Sequence, residues 1–313
     1  MIEARHLSRR YGDFLAVDGV SFAIGHGEIV GLLGHNGAGK TTIMKMLTGY
    51  LEPSEGSVAV DGTIVEDDRQ AVQAKLGYLP ENLPLYPELS VADYLAWVAE
   101  LRGIDPAQAV RRAIEATELG GKALDPIATL SRGYKQRLGV AQAILHEPRF
   151  LILDEPTNGL DPGQTQHMRT LIRRLSEHAT VILSTHIMQE VNALCDRVLI
   201  LHGGVLAVDE RLEDLRASNR LQLRTAVDAD PATVLGSVAG VAGVSRAGAG
   251  VWDVELSGRP DDAAAGVAAA MVGAGLPVYE LASGQRDLEA VFREVSEMDL
   301  AARRGAGEAA HAA

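Results

Sequence analysis

The chain is expected to be an α/β protein built on a parallel sheet that carries a phosphate-binding loop, followed by a smaller α+β domain. Three observations predict this. The apolar run Glu28-Ile29-Val30-Gly31-Leu32-Leu33 leads directly into Gly34-His35-Asn36-Gly37-Ala38-Gly39-Lys40-Thr41-Thr42, which fits the pattern G-x-x-x-x-G-K-[ST]. Two further runs, Phe150-Leu151-Ile152-Leu153 and Val181-Ile182-Leu183-Ser184, lack the alternation of half-exposed strands, as parallel strands covered on both faces do. Near Ala217 the composition shifts toward Ala, Gly and Val, which marks a domain boundary.

Along the chain, about the first 45 residues read as short strands and turns that end in the phosphate loop and its helix. Asp61-Gly62, between Ser57–Val60 and Thr63–Val65, predicts a hairpin, because both central turn positions favour positive φ. Leu76–Leu79 reads as a buried strand that Pro80 ends. From about Ser90 to Leu145 the period becomes helical, with Val91, Tyr94, Leu95 and Val98 on one face and Ala109, Ala113, Ile114 and Ala116 making another stripe. After the two apolar strands, a turn and strand occupy His202 to Val208. Beyond Ala217, strands are expected at Leu221–Val227, Val251–Leu256 and Val278–Leu281, and helices at Pro231–Val238, Asp261–Val272 and Asp287–Met298. That order suits a split βαβ domain over 217–300, and the alanine-rich stretch 301–313 reads as a disordered tail.

Composition narrows the function classes. With 313 residues the chain is long enough for about two domains. Its 42 acidic against 29 basic residues give a net charge of -13, which argues against nucleic acid as the main partner. The single cysteine, Cys195, excludes an internal disulfide and a multi-thiolate metal site, and a reducing cytosol is its natural setting. Met1–His6 has no basic region followed by an apolar core, so no secretory signal is expected. The longest uncharged stretch, Ala263 to Tyr279, is too rich in Ala and Gly to cross a bilayer.

The phosphate loop places Gly34, Asn36, Gly37, Gly39, Lys40, Thr41 and Thr42 around an anion at a helix N-terminus. Lys40 reaches the β- and γ-phosphates in such loops, and the Thr41 hydroxyl coordinates Mg2+. The strand Phe150–Leu153 ends in Asp154-Glu155-Pro156 at the sheet edge where ligands bind. Asp154 is the candidate for holding Mg2+, and Glu155 the candidate base that orients or deprotonates the attacking water. His186 ends the run Val181–Thr185 at the same kind of edge and is a candidate sensor of the γ-phosphate. Ser131 and Gly133, in Leu130-Ser131-Arg132-Gly133-Tyr134, open an amphipathic helix; alone they read as an ordinary N-cap, able to offer a hydroxyl and N–H groups to a phosphate.

The succession of phosphate loop, Leu-Ser-x-Gly, apolar-Asp-Glu-Pro, Gly159-Leu160-Asp161-Pro162 and His186 resembles the nucleotide-binding subunit of ABC transporters over about residues 2 to 215. The resemblance implies a P-loop NTPase domain of ABC type over 1–216, with a helical subdomain at about 82–145. It implies ATP hydrolysis with Mg2+ in a homodimer. It also implies a separate transmembrane permease, since this chain lacks a span, and a cytoplasmic location against the inner face of the membrane. By the same resemblance Tyr11 stacks on adenine, Ser131 and Gly133 complete the site of a second subunit, and Asp161 is the D-loop aspartate. Two departures stand out. Arg132 and Tyr134 replace a glycine and a glutamine of the usual signature, and Glu81 stands where many members carry the Q-loop glutamine. An ionised glutamate only accepts hydrogen bonds, so Glu81 is expected to approach the Mg2+ rather than donate as an amide. These variants, with Leu85-Tyr86-Pro87 and the segment Asp287–Phe292, resemble bacterial drug, polysaccharide and gliding-machinery exporters. A second reading is an ATPase serving metalloenzyme maturation or another non-export membrane complex. A soluble ATPase of translation or repair, an unrelated kinase or GTPase, and a nucleotide-binding module without turnover suit the motif set less well.

Overall fold

Ile29–Leu33 (β3), Phe150–Asp154 (β7) and Thr180–Thr185 (β8) are buried at every residue, and they form the middle of a six-stranded sheet. In this computed structural model residues 1–258, 260–285, 288–293 and 295 are described. They fall into two compact units, one spanning Met1–Leu212 and one beginning at Glu213.

The first unit opens with two long antiparallel strands, β1 (Ile2–Tyr11) and β2 (Phe14–Ile24), where short strands were expected. They join β4 (Glu55–Val60) and β5 (Thr63–Ile64) in a sheet of order β2-β1-β4-β5, and the predicted Asp61-Gly62 turn links the last two with positive φ at both residues. The six-stranded sheet has the order β10-β9-β3-β8-β7-β6, where β6 is Leu76–Leu79, β9 Arg197–His202 and β10 Val205–Arg211. Its strands β9, β3, β8, β7 and β6 pair in parallel and β10 antiparallel. Helix α1 (Lys40–Leu47) follows the phosphate loop, and its Ile43, Met44 and Leu47 share one core cluster with Leu32, Ile152 and Ile182 of this sheet and Leu7, Val58 and Val60 of the other.

A short α2 (Arg69–Gln73) precedes β6. The helical region comprises α3 (Val91–Leu101), α4 (Pro106–Ala116) and α5 (Arg132–Ile144), whose apolar faces make a second cluster of Val91, Tyr94, Leu95, Ala109, Ala113 and Leu138. Residues 82–90 are not helical, because proline at positions 84 and 87 removes donors and fixes φ. Two helices not anticipated from periodicity, α6 (Pro162–Ser176) and α7 (Met188–Leu194), flank β8.

Helix α8 is Leu212–Arg216. The second unit contains β11 (Ala217–Arg224), α9 (Ala232–Leu235), β12 (Val241–Gly248), β13 (Val251–Leu256), α10 (Pro260–Gly273) and β14 (Glu280–Gln285). Its sheet order β12-β13-β11-β14, antiparallel throughout, is the split βαβ arrangement. Its core joins Leu221, Leu223, Trp252 and Val254 to Val267 and Met271. Strand β12 was not anticipated. Of the helix expected over Asp287–Met298, residues 288–293 and 295 are helical and the others lie outside the described residues, as does the tail 301–313.

Candidate active site

Three parallel strands end level with one another. Leu33 is in register with Thr185, and Asp154 with Ser184, so the phosphate loop, the Asp154-Glu155 pair and His186 leave the sheet at one edge. The N-cap of α1 is Gly39, with φ of 102°, a left-handed backbone that favours glycine. A side chain there would also come within 2.7 Å of the Ala16 carbonyl oxygen.

Lys40 is 6% exposed. Its Nζ donates to the Gly34 carbonyl at 2.7 Å and lies 3.6 Å from Glu155 Oε1. Asp154 is fully buried; its Oδ1 accepts from Ser184 Oγ at 2.5 Å, while Oδ2 has no hydrogen-bond partner. Burying such an oxygen is costly unless a cation or donor meets it, which fits a metal site. Among the described residues no three His, Cys, Asp or Glu side chains cluster as a metal cage, so an ion here would rely on Thr41 and on oxygens of its ligand.

Glu155 has φ of 50° and is 6% exposed, and its backbone N–H donates to Ser184 Oγ at 2.9 Å. The carboxylate meets His186 Nδ1 at 3.0 and 3.1 Å. The imidazole is half-exposed, so this pair joins a buried carboxylate to a ring that reaches the cleft.

The cleft beside the loop has a volume of about 540 Å3, and its lining includes Tyr11, Asn36, Gly37, Gly39, Lys40, Thr41, Thr42, Glu81, Glu155 and His186. Gly34 lies behind this lining, with its carbonyl turned to Lys40. Glu81 is exposed and accepts from Asn158 Nδ2 at 3.5 Å. Phe14 and Asn158 also line the cleft, and sequence reasoning missed both. Phe14 pairs with Tyr11 across the tip of the β1–β2 hairpin, so the segment Tyr11-Gly12-Asp13-Phe14 was the available signal. The Arg9 guanidinium sits 4.9 Å from the centre of the Tyr11 ring, which fixes that ring against one cation.

Ser131, Gly133 and Asp161 do not line this cleft. Ser131 caps α5 and accepts from Tyr134 N at 3.4 Å, whereas Asp161 caps α6 and accepts from Gln164 N at 2.9 Å. The two caps are neighbours: a Cβ on Gly133 would lie 2.6 Å from the Gln164 side chain, and one on Gly159 would lie 2.5 Å from the Arg132 guanidinium. They therefore form a second polar patch of the same unit, outside the lining of the cleft. Its departures from the usual signature take part in this packing through Arg132.

No helix among the described residues is long and apolar enough to cross a membrane. A sequence-family profile described as ABC transporter matches residues 17–158. The chain is 36% identical over 208 residues to the linearmycin resistance ATP-binding protein LnrL of Bacillus subtilis (strain 168), covering 65% of this chain and 67% of that protein. It is 36% identical over 222 residues to the bacitracin transport ATP-binding protein BcrA of Enterococcus faecalis, covering 70% of this chain and 72% of that one. A solved structure of an ATP binding subunit of an ABC transporter superposes with a TM-score of 0.63 at 32% identity, covering 69% of this chain and 91% of its own.

Proposed function

The chain belongs to the ABC transporter family as an ATP-binding, ATP-hydrolysing subunit, and from that premise we propose that it drives export through a separate membrane permease by closing and reopening an ATP-loaded homodimer. The observation that carries this reading is the division of the polar residues between two surfaces. Lys40, Glu155 and His186 meet in the cleft, with Asp154 buried at the same sheet edge, while Ser131, Gly133 and Asp161 sit at the N-termini of α5 and α6, outside the cleft lining. A head-to-tail dimer brings the second surface of one subunit against the phosphate loop of its partner.

Within each site, Lys40 and the loop N–H groups bind the phosphates, and the aromatic pair Tyr11 and Phe14 receives the base. Thr41 and Asp154, with its unpartnered Oδ2, would hold Mg2+, and Glu81 stands at the cleft to contact its waters. Bound there, Mg2+ would neutralise charge on the phosphate oxygens. Glu155 takes the proton from the attacking water, and His186 orients that carboxylate from 3.0 Å while presenting its ring to the γ-phosphate. In this reading the protein works at the inner face of the membrane, and residues 82–90 with the exposed aromatics Tyr86 and Trp97 are the surface offered to the permease.

Complementation tests the composite site. Lys40→Ala removes the phosphate cation and Ser131→Arg blocks the second surface, so each protein alone should lose hydrolysis. A mixture should regain activity, because one site of each heterodimer combines an intact Lys40 with an intact Ser131. Mixtures that stay inactive while heterodimers form would show that Ser131 does not act in the partner's site.

A further inference from the structure

A carboxyl group that the reading above does not use lies buried behind Glu155 and His186. Glu190, in α7, is 1% exposed. Its Oε2 accepts from the Thr157 hydroxyl and, at 3.2 Å, from the Thr185 hydroxyl. Both threonines are themselves buried, and Thr185 Oγ1 also accepts from Ile187 N at 3.1 Å. The chain positions of these partners give the contact its meaning. Thr157 stands two residues beyond Glu155, and Thr185 immediately precedes His186. A single buried oxygen thus ties the segment just after Glu155 to the end of β8 just before His186, on either side of the 3.0 Å contact between those two residues.

Energetics favour a geometric role over a stabilising one. A buried carboxyl group is commonly worth less to stability than a packed apolar residue, because its desolvation is offset only by well-made hydrogen bonds. The left-handed backbone at Glu155 is a costly conformation for a residue with a side chain, and such conformations persist where the surroundings over-determine them. Ser184 fixes Glu155 from its amide, and the Thr157 contact fixes the chain just beyond it.

We propose that Glu190 is a positioning residue whose carboxyl group, held by Thr157 and Thr185, sets the separation between the Glu155 and His186 loops. The inference rests on Glu155 acting as the base. The full-length protein carrying Thr157→Val loses one hydroxyl and keeps the side-chain shape, whereas Thr157→Ser keeps the hydroxyl. Misplacing a reacting group by about 1 Å costs on the order of a hundredfold. Thr157→Val should therefore lower kcat by roughly ten- to a hundredfold, with KM for ATP and binding of a fluorescent ATP analogue unchanged, and Thr157→Ser should recover most of the loss. In a Glu155→Gln background, Thr157→Val should add no further defect in single-turnover hydrolysis, because residues acting through one group are non-additive. Glu190→Gln, which keeps the volume of the side chain, should show the same kcat-only pattern in milder form. Three results would overturn the tie alone: a normal kcat in Thr157→Val, equal loss in Thr157→Ser, or effects that add to a clear Glu155→Gln defect. Wild-type turnover in Glu155→Gln would overturn the base assignment and the tie together.

Discussion

His146, just after α5, gives the nucleotide-binding unit a defined response to acid. Its Nε2 lies 2.9 Å from the Leu76 carbonyl oxygen and 3.3 Å from an Arg102 nitrogen, and its Nδ1 is buried without a hydrogen-bond partner. Burial first, and the Arg102 charge second, press its pKa from 6.5 down to about 4, against the opposing bond to Leu76. The folded protein thus refuses a proton that the unfolded chain accepts. The contribution of this histidine to stability is complete above pH 6.5 and is lost as pH falls toward about 4. Melting temperatures measured from neutral pH downward should fall more steeply for the wild type than for His146→Gln, and parallel slopes would contradict the assignment. At this scale the phosphate loop was legible because its residues are contiguous and fit one sequence pattern that follows an apolar strand. Asp154, Glu155 and His186 were legible because each ends an apolar run. The contacts of Asn158 with Glu81 and of Glu190 with Thr157 were not, since the fold assembles them from separate segments, whereas Phe14 was missed although the turn that begins at Tyr11 offered it.

Helix α3 illustrates how local sequence sets an element. Ser90 accepts from Asp93 N at 3.1 Å and donates to the Asp93 carboxylate at 2.7 Å, so one side-chain pair closes the first turn. Loss of such a cap costs about 1 kcal/mol. Ser90→Ala should therefore lower the melting temperature by about 2–4 °C, as expected for that cost in a domain of this size. ATP affinity should stay unchanged; a loss of affinity at constant stability would show that α3 acts on the site rather than only on its scaffold. The helical stripe of α3 and the buried strands β3, β7 and β8 were readable from periodicity and from unbroken apolar runs. Strand β9 was not, because its apolar run Val198-Leu199-Ile200-Leu201 is short and the turn after it drew the boundary to His202. Helix α6 was missed because charged and polar residues dominate it, leaving Met168, Leu171 and Ile172 as its buried positions. Strand β12 went unread because Ala, Gly and Ser dilute the signal of its two valines and its ladder is irregular.

At the scale of the molecule, each unit has its own core, and the composition shift near Ala217 lies a few residues from the observed division at Leu212. The phosphate loop, Glu155 and His186 lie in the first unit around one cleft, and Ser131, Gly133 and Asp161 of the same unit lie outside the lining of that cleft. On the function proposed above, two copies make a working site and hydrolysis is the event that releases them. Glu155→Gln is the substitution that separates these steps. It keeps the shape of the side chain, removes the carboxylate proposed as the base and reduces negative charge beside the phosphate loop, so ATP should still bind. General-base contributions run to about 10^2 to 10^4 in rate. The most direct measurement follows Glu155→Gln by size-exclusion chromatography in Mg-ATP alongside its turnover. A hydrolysis rate lowered by roughly that factor and a stable ATP-bound dimer are expected; turnover at the wild-type rate, or a protein that binds ATP and remains monomeric, would contradict the proposed two-copy site.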